Sequence, residues 1–135
     1  MNTAIVGLGS NIEPEKNIQK AKEILSKKYT VLKESRFITT KPIGIPRQAN
    51  FINGALLITT KLNLKQLRKS LKEIEHALGR ERDGNKFGPR TIDLDLLVWN
   101  GEIMHEDVNS RDFVKTSVLE LISKSDLMKR EDGDI

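Results

Sequence analysis

The sequence predicts an α+β fold, and three observations carry the prediction. Four runs rich in β-branched and aromatic residues, at 3–9, 29–38, 51–60 and 91–99, are set apart by turn-forming residues. Two stretches, 14–28 and 64–79, place apolar residues at helical spacing. Their order is strand, helix, strand, strand, helix, strand. That is the split βαββαβ arrangement of ferredoxin-like folds, an α/β (α+β) architecture with helices on one face of an antiparallel sheet. At 135 residues, the chain is expected to form one domain over 1–135.

Each element has a local cause. Thr3 to Gly9 reads as a strand closed by a Gly-Ser-Asn turn. Pro14 suits the first turn of a helix, where its missing N–H costs nothing. Ile18, Ala21 and Leu25 then form an apolar stripe to about Lys28. Tyr29 to Ile38 is β-rich and predicts one strand. Two prolines and a glycine make 41–46 a loop, and Phe51 to Thr60 is another strand. Leu64, Leu67, Leu71, Ile74 and Leu78 recur at helical spacing, and Gly79 is placed to end that helix. Residues 81–89 are polar with two glycines and predict a flexible loop able to close over a substrate. Thr91 to Trp99 is a strand, Asn100-Gly101 a hairpin turn, and Phe113 to Ile122 a short closing helix. The charged end, 129–135, is expected to fray.

Composition narrows the function. Cysteine is absent, which removes disulfides, thiol nucleophiles and zinc-thiolate sites. The first residues lack the basic and apolar regions of a secretion signal, so none is expected, and no apolar run reaches the roughly 20 residues of a membrane span. A cytoplasmic protein without a membrane partner is expected. Charge is unevenly spread. Residues 1–60 carry nine basic and four acidic side chains, as do residues 61–90, whereas 91–135 carry five basic and eleven acidic. A basic stretch feeding an acidic one suits a nucleotide held with metal, since cations hold phosphates and carboxylates hold Mg²⁺. The plain alternative is a solvated helix face beside an acidic tail. With aromatics at 4%, base-stacking platforms are scarce, so no nucleic-acid partner is expected.

The densest chemistry lies in Gly88-Pro89-Arg90-Thr91-Ile92-Asp93-Leu94-Asp95. Side chains alternate along a strand, so Asp93 and Asp95 share a face, with Cα atoms roughly 7 Å apart. Their oxygens can converge on Mg²⁺, which takes one or two carboxylates plus substrate phosphates. Ile92, Leu94, Leu96 and Val98 take the other face as core, and Trp99 falls on the aspartate face. A solvated outer face is the competing reading. Arg80, Arg82, Lys86 and Arg90 put four cations in eleven positions, fit to clamp polyphosphate and offset charge on a transferring group. An exposed basic loop would look the same. Gly7-Leu8-Gly9-Ser10-Asn11 lacks the spacing and lysine of a P-loop and reads as a tight turn into a helix with a polar cap. Phe51 and Asn53 share a strand face able to stack on and hydrogen-bond a flat heterocycle, or are simply a core ring and a turn residue. His76 and His105 read as surface residues by default.

Together these segments resemble the 6-hydroxymethyl-7,8-dihydropterin pyrophosphokinase family. The match runs through Gly9-Ser10-Asn11, Thr40 with Pro42-Ile43-Gly44, Phe51-Ile52-Asn53-Gly54-Ala55, Gly79-Arg80-Glu81-Arg82 and the 88–95 block, in order across residues 1–100. The resemblance implies transfer of a diphosphate from ATP, as co-substrate, to a pterin alcohol, with two Mg²⁺ ions and release of AMP. It assigns Asp93 and Asp95 to metal and Arg80 and Arg90 to catalysis. Arg82, Lys86, Arg111 and His105 fall to the nucleotide. Thr40, Ile43, Phe51, Asn53 and Phe113 fall to the pterin, Phe113 through the Arg-X-Phe match at 111–113. Phe87 stands where the family often has Trp, Asp83 where it is commonly basic, and the family's His-Pro segment after the metal strand is missing or shortened. A monomer is expected. A kinase for another pterin-like alcohol, or a non-catalytic ligand- or RNA-binding module on this fold, are the alternatives.

Overall fold

A computed structural model describes residues 1–41, 49–79 and 91–127. Among these residues β1 (Asn2–Ser10), β2 (Thr30–Glu34), β3 (Ile38–Thr40), β4 (Phe51–Thr60), β5 (Asp93–Trp99) and β6 (Glu102–Ile103) form one sheet in the order β2-β4-β1-β5-β6, with β3 also on β4. Every pairing is antiparallel. The helices are α1 (Pro14–Lys28), α2 (Leu64–Ala77), α3 (Asp107–Ser110) and α4 (Asp112–Leu121), followed by a 3-10 turn at Lys124–Asp126. The predicted α+β class and the βαββαβ order hold. No helix among the described residues is long and apolar enough to cross a membrane.

Alternation in β1 builds two cores. Ala4, Val6 and Leu8 point to one face, where they meet Ile18, Ala21 and Leu25 of α1 and Leu67, Leu71 and Ile74 of α2. Burying one such leucine contributes about 2 kcal/mol. Ile5 points to the other face, where Ala55, Leu97 and Val98 meet Val108, Val118 and Leu121. The closing helix therefore packs on the face opposite α1 and α2, and helices cover both faces rather than one. Helix ends are locally specified. Pro14 opens α1, and the Tyr29 N–H donates to the Leu25 carbonyl at its close. Asn63 and Gln66 cap α2 reciprocally, each side chain accepting from the other's backbone N–H at 2.8 and 2.9 Å. Gly79, at φ +92°, follows α2 in the left-handed region.

Three local features depart from the sequence pattern. The run 29–38 is two strands, because Ser35 leaves the ladder. Its Oγ accepts the Ala55 N–H and its own N–H donates to the Ala55 carbonyl. Phe37 then lies on Gly54, where an added Cβ would meet the ring at 2.5 Å. In β5 the register shifts, so that Val6 faces Leu96 while Ile5 faces Val98. Leu97 is the extra residue of a bulge. Beyond it, Val98 joins the α4 core and Trp99 packs on the α1–α2 core, the reverse of the faces expected for them. The turn before α1 has Glu13 at the cap position with no side-chain cap hydrogen bond. Ser10 and Asn17 instead donate to the Ile12 carbonyl. The Asn100-Gly101 turn is as expected, with φ of 48° and 85°, and joins β5 to β6. The proposed loop at 41–46, apart from Lys41, the loop at 81–89 and the tail at 129–135 lie outside the described residues.

Candidate active site

Cross-strand register assembles the predicted polar residues into one row. Gly9 of β1 is paired with Asn53 of β4 on one side and with Asp93 of β5 on the other. Neighbouring strands lie about 4.8 Å apart, so Asn53 and Asp93 flank the glycine across roughly 10 Å. The next position of the same face pairs Gly7 with Asp95. The row has no side chain at its centre, and that space is already shaped by Asn53: a Cβ added at Gly9 would lie 2.6 Å from the Asn53 Oδ1. The Asn53 amide is oriented from behind, donating through Nδ2 to the Thr40 hydroxyl. Its Oδ1 is thereby turned towards Gly9, an acceptor at the edge of an open floor.

One aromatic residue shares this strand face, and a second stands on α4, the helix that packs on the same side of the sheet. Phe51 lies two residues before Asn53 on β4, and Phe113 stands in the first turn of α4. Both are half-buried, and neither belongs to either core. Phe51 therefore lies outside both cores formed by the described residues. Phe37, by contrast, is committed to the α1–α2 core.

The aspartate end of β5 supplies the second half of the site. β6 pairs only with Val98 and Trp99, leaving the aspartate end uncovered by it. Glu75 of α2, a buried carboxylate, accepts the Leu94 N–H at 2.7 Å. A cavity of about 500 Å³ opens beside this end. Asp95, Glu75, Arg68, Lys72, Met104 and His105 are among its lining residues. Burial pushes the Asp95 carboxyl up to about 6, and the neighbouring charge of Asp93 pushes the same way. His105 opposes the shift, while Glu75 and Asp107 add to it. A carboxylate so crowded by negative charge is a place where a cation is favoured. The donor set, two carboxylates on one strand face, fits Mg²⁺ completed by phosphate oxygens. Among the described residues no group of three or more His, Cys, Asp or Glu forms a metal cage.

His105, which has no catalytic pattern in sequence, thus lies beside Asp95. Arg111 is tied to Asp107 through its Nε at 3.3 Å. His76 is exposed, as expected. Ile43, Arg80, Arg82, Lys86 and Arg90 lie outside the described residues. Glu75 and Asp107 escaped the sequence reading. For Glu75 a clue existed: it falls four residues after Leu71 and eight after Leu67, on the apolar stripe of α2, where burying a carboxylate is costly.

Comparison with known proteins gives a consistent result. Residues 5–123 match the profile of the family described as 7,8-dihydro-6-hydroxymethylpterin-pyrophosphokinase (HPPK). A folate synthesis bifunctional protein of Arabidopsis thaliana is 33% identical over 133 residues, 91% of this chain and 28% of the relative. The 2-amino-4-hydroxy-6-hydroxymethyldihydropteridine pyrophosphokinase of Bacillus subtilis is 41% identical over 104 residues, 75% of this chain and 62% of the relative. That of Haemophilus influenzae is 32% identical over 134 residues, 91% of this chain and 83% of the relative. The matched part of the chain thus spans just over a quarter of the plant protein and under two thirds of the Bacillus protein.

Proposed function

Because the chain belongs to the 7,8-dihydro-6-hydroxymethylpterin-pyrophosphokinase family, we propose that it transfers a diphosphate from ATP to the hydroxymethyl group of 6-hydroxymethyl-7,8-dihydropterin. AMP leaves, and the product serves folate synthesis. The observation that carries this reading is the row Asn53–Gly9–Asp93, a bare glycine floor between an oriented amide and a metal-type carboxylate. A flat ring laid over Gly9 meets the Asn53 amide with its polar edge. Phe51 and Phe113 supply stacking surfaces. The ring's hydroxymethyl group then points towards β5.

In this reading the nucleotide occupies the cavity at the β5 edge, where His105 and Arg111 contribute N–H donors. Asp93 and Asp95 hold Mg²⁺, two ions in our reading, which supplies charge neutralisation on the polyphosphate when bound. Arg80 and Arg90 act on charge developing in the transferred group, and Arg82 and Lys86 hold ATP; Ile43 joins Thr40 beside the pterin. The substrate hydroxyl oxygen bonds to the β-phosphorus, the bond between that phosphorus and the α–β bridging oxygen breaks, and AMP takes its electron pair while the hydroxyl proton departs. Positioning is the main contribution of the protein to such a transfer. We read the protein as a cytoplasmic monomer with no nucleic-acid or membrane partner.

The test follows the nucleotide product. Purified chain with ATP, Mg²⁺ and the pterin alcohol should release AMP and pterin diphosphate in equal amounts. The reaction should stop with EDTA and in Asp93→Ala and Asp95→Ala. Release of ADP, or no turnover by the wild type, would sink the proposal.

A further inference from the structure

We infer that Asp107 is a positioning residue that sets Arg111 for the nucleotide, an inference that rests on the function proposed above. One side-chain contact carries it, beside a backbone contact that orders the neighbouring histidine. The Asp107 backbone N–H donates to His105 Nδ1 at 3.1 Å. The Asp107 Oδ1 lies 3.3 Å from Arg111 Nε. All three side chains are partly sheltered, with exposures of 32% for His105, 22% for Asp107 and 34% for Arg111.

The chemistry of the contacts gives them a direction. A histidine whose Nδ1 accepts a hydrogen bond carries its proton on Nε2. His105, which lines the cavity with Asp95, therefore offers an N–H donor at its other nitrogen. Arg111 meets Asp107 through Nε, leaving the four Nη hydrogens of its fork for an anion. The helix α3 has only four residues, too few to be stable alone. The pair at Asp107 and Arg111 spans it from its first residue to its C-cap. One aspartate thus joins the cavity wall to the start of α4, two residues before Phe113. A plain helix ion pair would be the simpler role, and such pairs add little to stability. That difference makes the two roles separable.

The experiment compares the wild type with Asp107→Ala, Asp107→Asn, Arg111→Ala and the Asp107→Ala/Arg111→Ala double variant. Readouts are KM for ATP, KM for the pterin alcohol, binding of Mg²⁺ with a non-hydrolysable ATP analogue, and the thermal midpoint. Asp107→Ala should raise the ATP KM about tenfold, the scale on which outer partners of binding residues act. The pterin KM should stay within about twofold, and the midpoint within about 3 °C. Asp107→Asn keeps the Oδ1 acceptor that meets Arg111, so it should recover most of the affinity. The double variant should bind the analogue little more weakly than Arg111→Ala alone. An unchanged ATP KM in Asp107→Ala overturns the inference while leaving the proposed function intact. So does a joint fall of both affinities with the midpoint, which marks a merely structural pair. If the wild type binds no nucleotide analogue with Mg²⁺, the proposed function itself fails and this inference with it.

Discussion

Asp95→Asn should make the protein more stable and leave it inactive. In the fold the Asp95 carboxyl is raised from 3.8 to about 6 by burial and by the charge of Asp93, with Glu75 and Asp107 adding to the effect. Each tenfold gain in proton affinity corresponds to about 1.4 kcal/mol, so the ionised carboxylate costs the folded state up to about 3 kcal/mol. Proteins relax around buried charge, which lowers such figures, and about 1–3 kcal/mol is the expected range. The pH dependence has a definite sign. The folded group binds its proton more tightly than the unfolded one, so native stability falls as pH rises from about 4 to about 6. Above about pH 6 the full cost is present, and below about pH 4 it has vanished. Urea unfolding in EDTA at pH 4, 6 and 8 is the assay. Asp95→Asn should exceed the wild type by about 1–3 kcal/mol at pH 8 and match it at pH 4. Added Mg²⁺ and ATP should restore stability to the wild type and not to the variant. A variant no more stable at pH 8, or one whose advantage does not change with pH, would refute the electrostatic account of the site.

Two further outcomes are expected. Gly9→Ala places a methyl group 2.6 Å from the Asn53 Oδ1, so calorimetry should show pterin affinity falling at least about tenfold with nucleotide binding retained, at a stability cost of about 1–3 kcal/mol; unchanged pterin affinity would remove the glycine floor from the site. Arg80→Ala or Arg90→Ala should slow the single-turnover chemical step by about 10² to 10³ with pterin binding preserved, and the reverse pattern would reassign these cations to ground-state binding.

The parts of the fold that sequence revealed are those where one period governs a whole element. Phe51 to Thr60 is one strand and Pro14 to Lys28 one helix, with ends marked by proline and by caps. The helix Leu64–Ala77 ends two residues before Gly79, close to its forecast limit. What stayed hidden depends on contacts between distant residues. Nothing within 29–38 announces that Ser35 will bind the backbone of Ala55, twenty residues away. Likewise Ile92, Leu94, Leu96 and Val98 alternate without a fault, and the bulge is visible only once Val6 and Ile5 are set against Leu96 and Val98. For the site, the shared face of Asp93 and Asp95 was legible because two residues on a strand must share it. The nearness of His105 to Asp95 was not, since it comes from a hairpin and a cavity that no local pattern encodes. The role of Gly9 was also hidden, because a glycine's value here is the room it leaves for Asn53.

The bulge at Leu97 divides β5 into two cassettes whose faces are set independently. Upstream, the face shared with α4 carries Asp93 and Asp95; downstream, after the extra residue, that face is taken by the apolar Leu97 and Val98. Deletion of Leu97 would restore strict alternation and leave Val98 and Trp99 on the faces they now hold, whereas ironing the bulge out with Leu97 kept would drive the Trp99 indole towards Val118 and Leu121. The chain should therefore accept a transplant of the whole strand from a relative only when the donor has the same one-residue offset, whereas the acidic cassette alone can be exchanged upstream of it. An alignment that closes a gap at this point would assign every following side chain to the wrong side of the sheet.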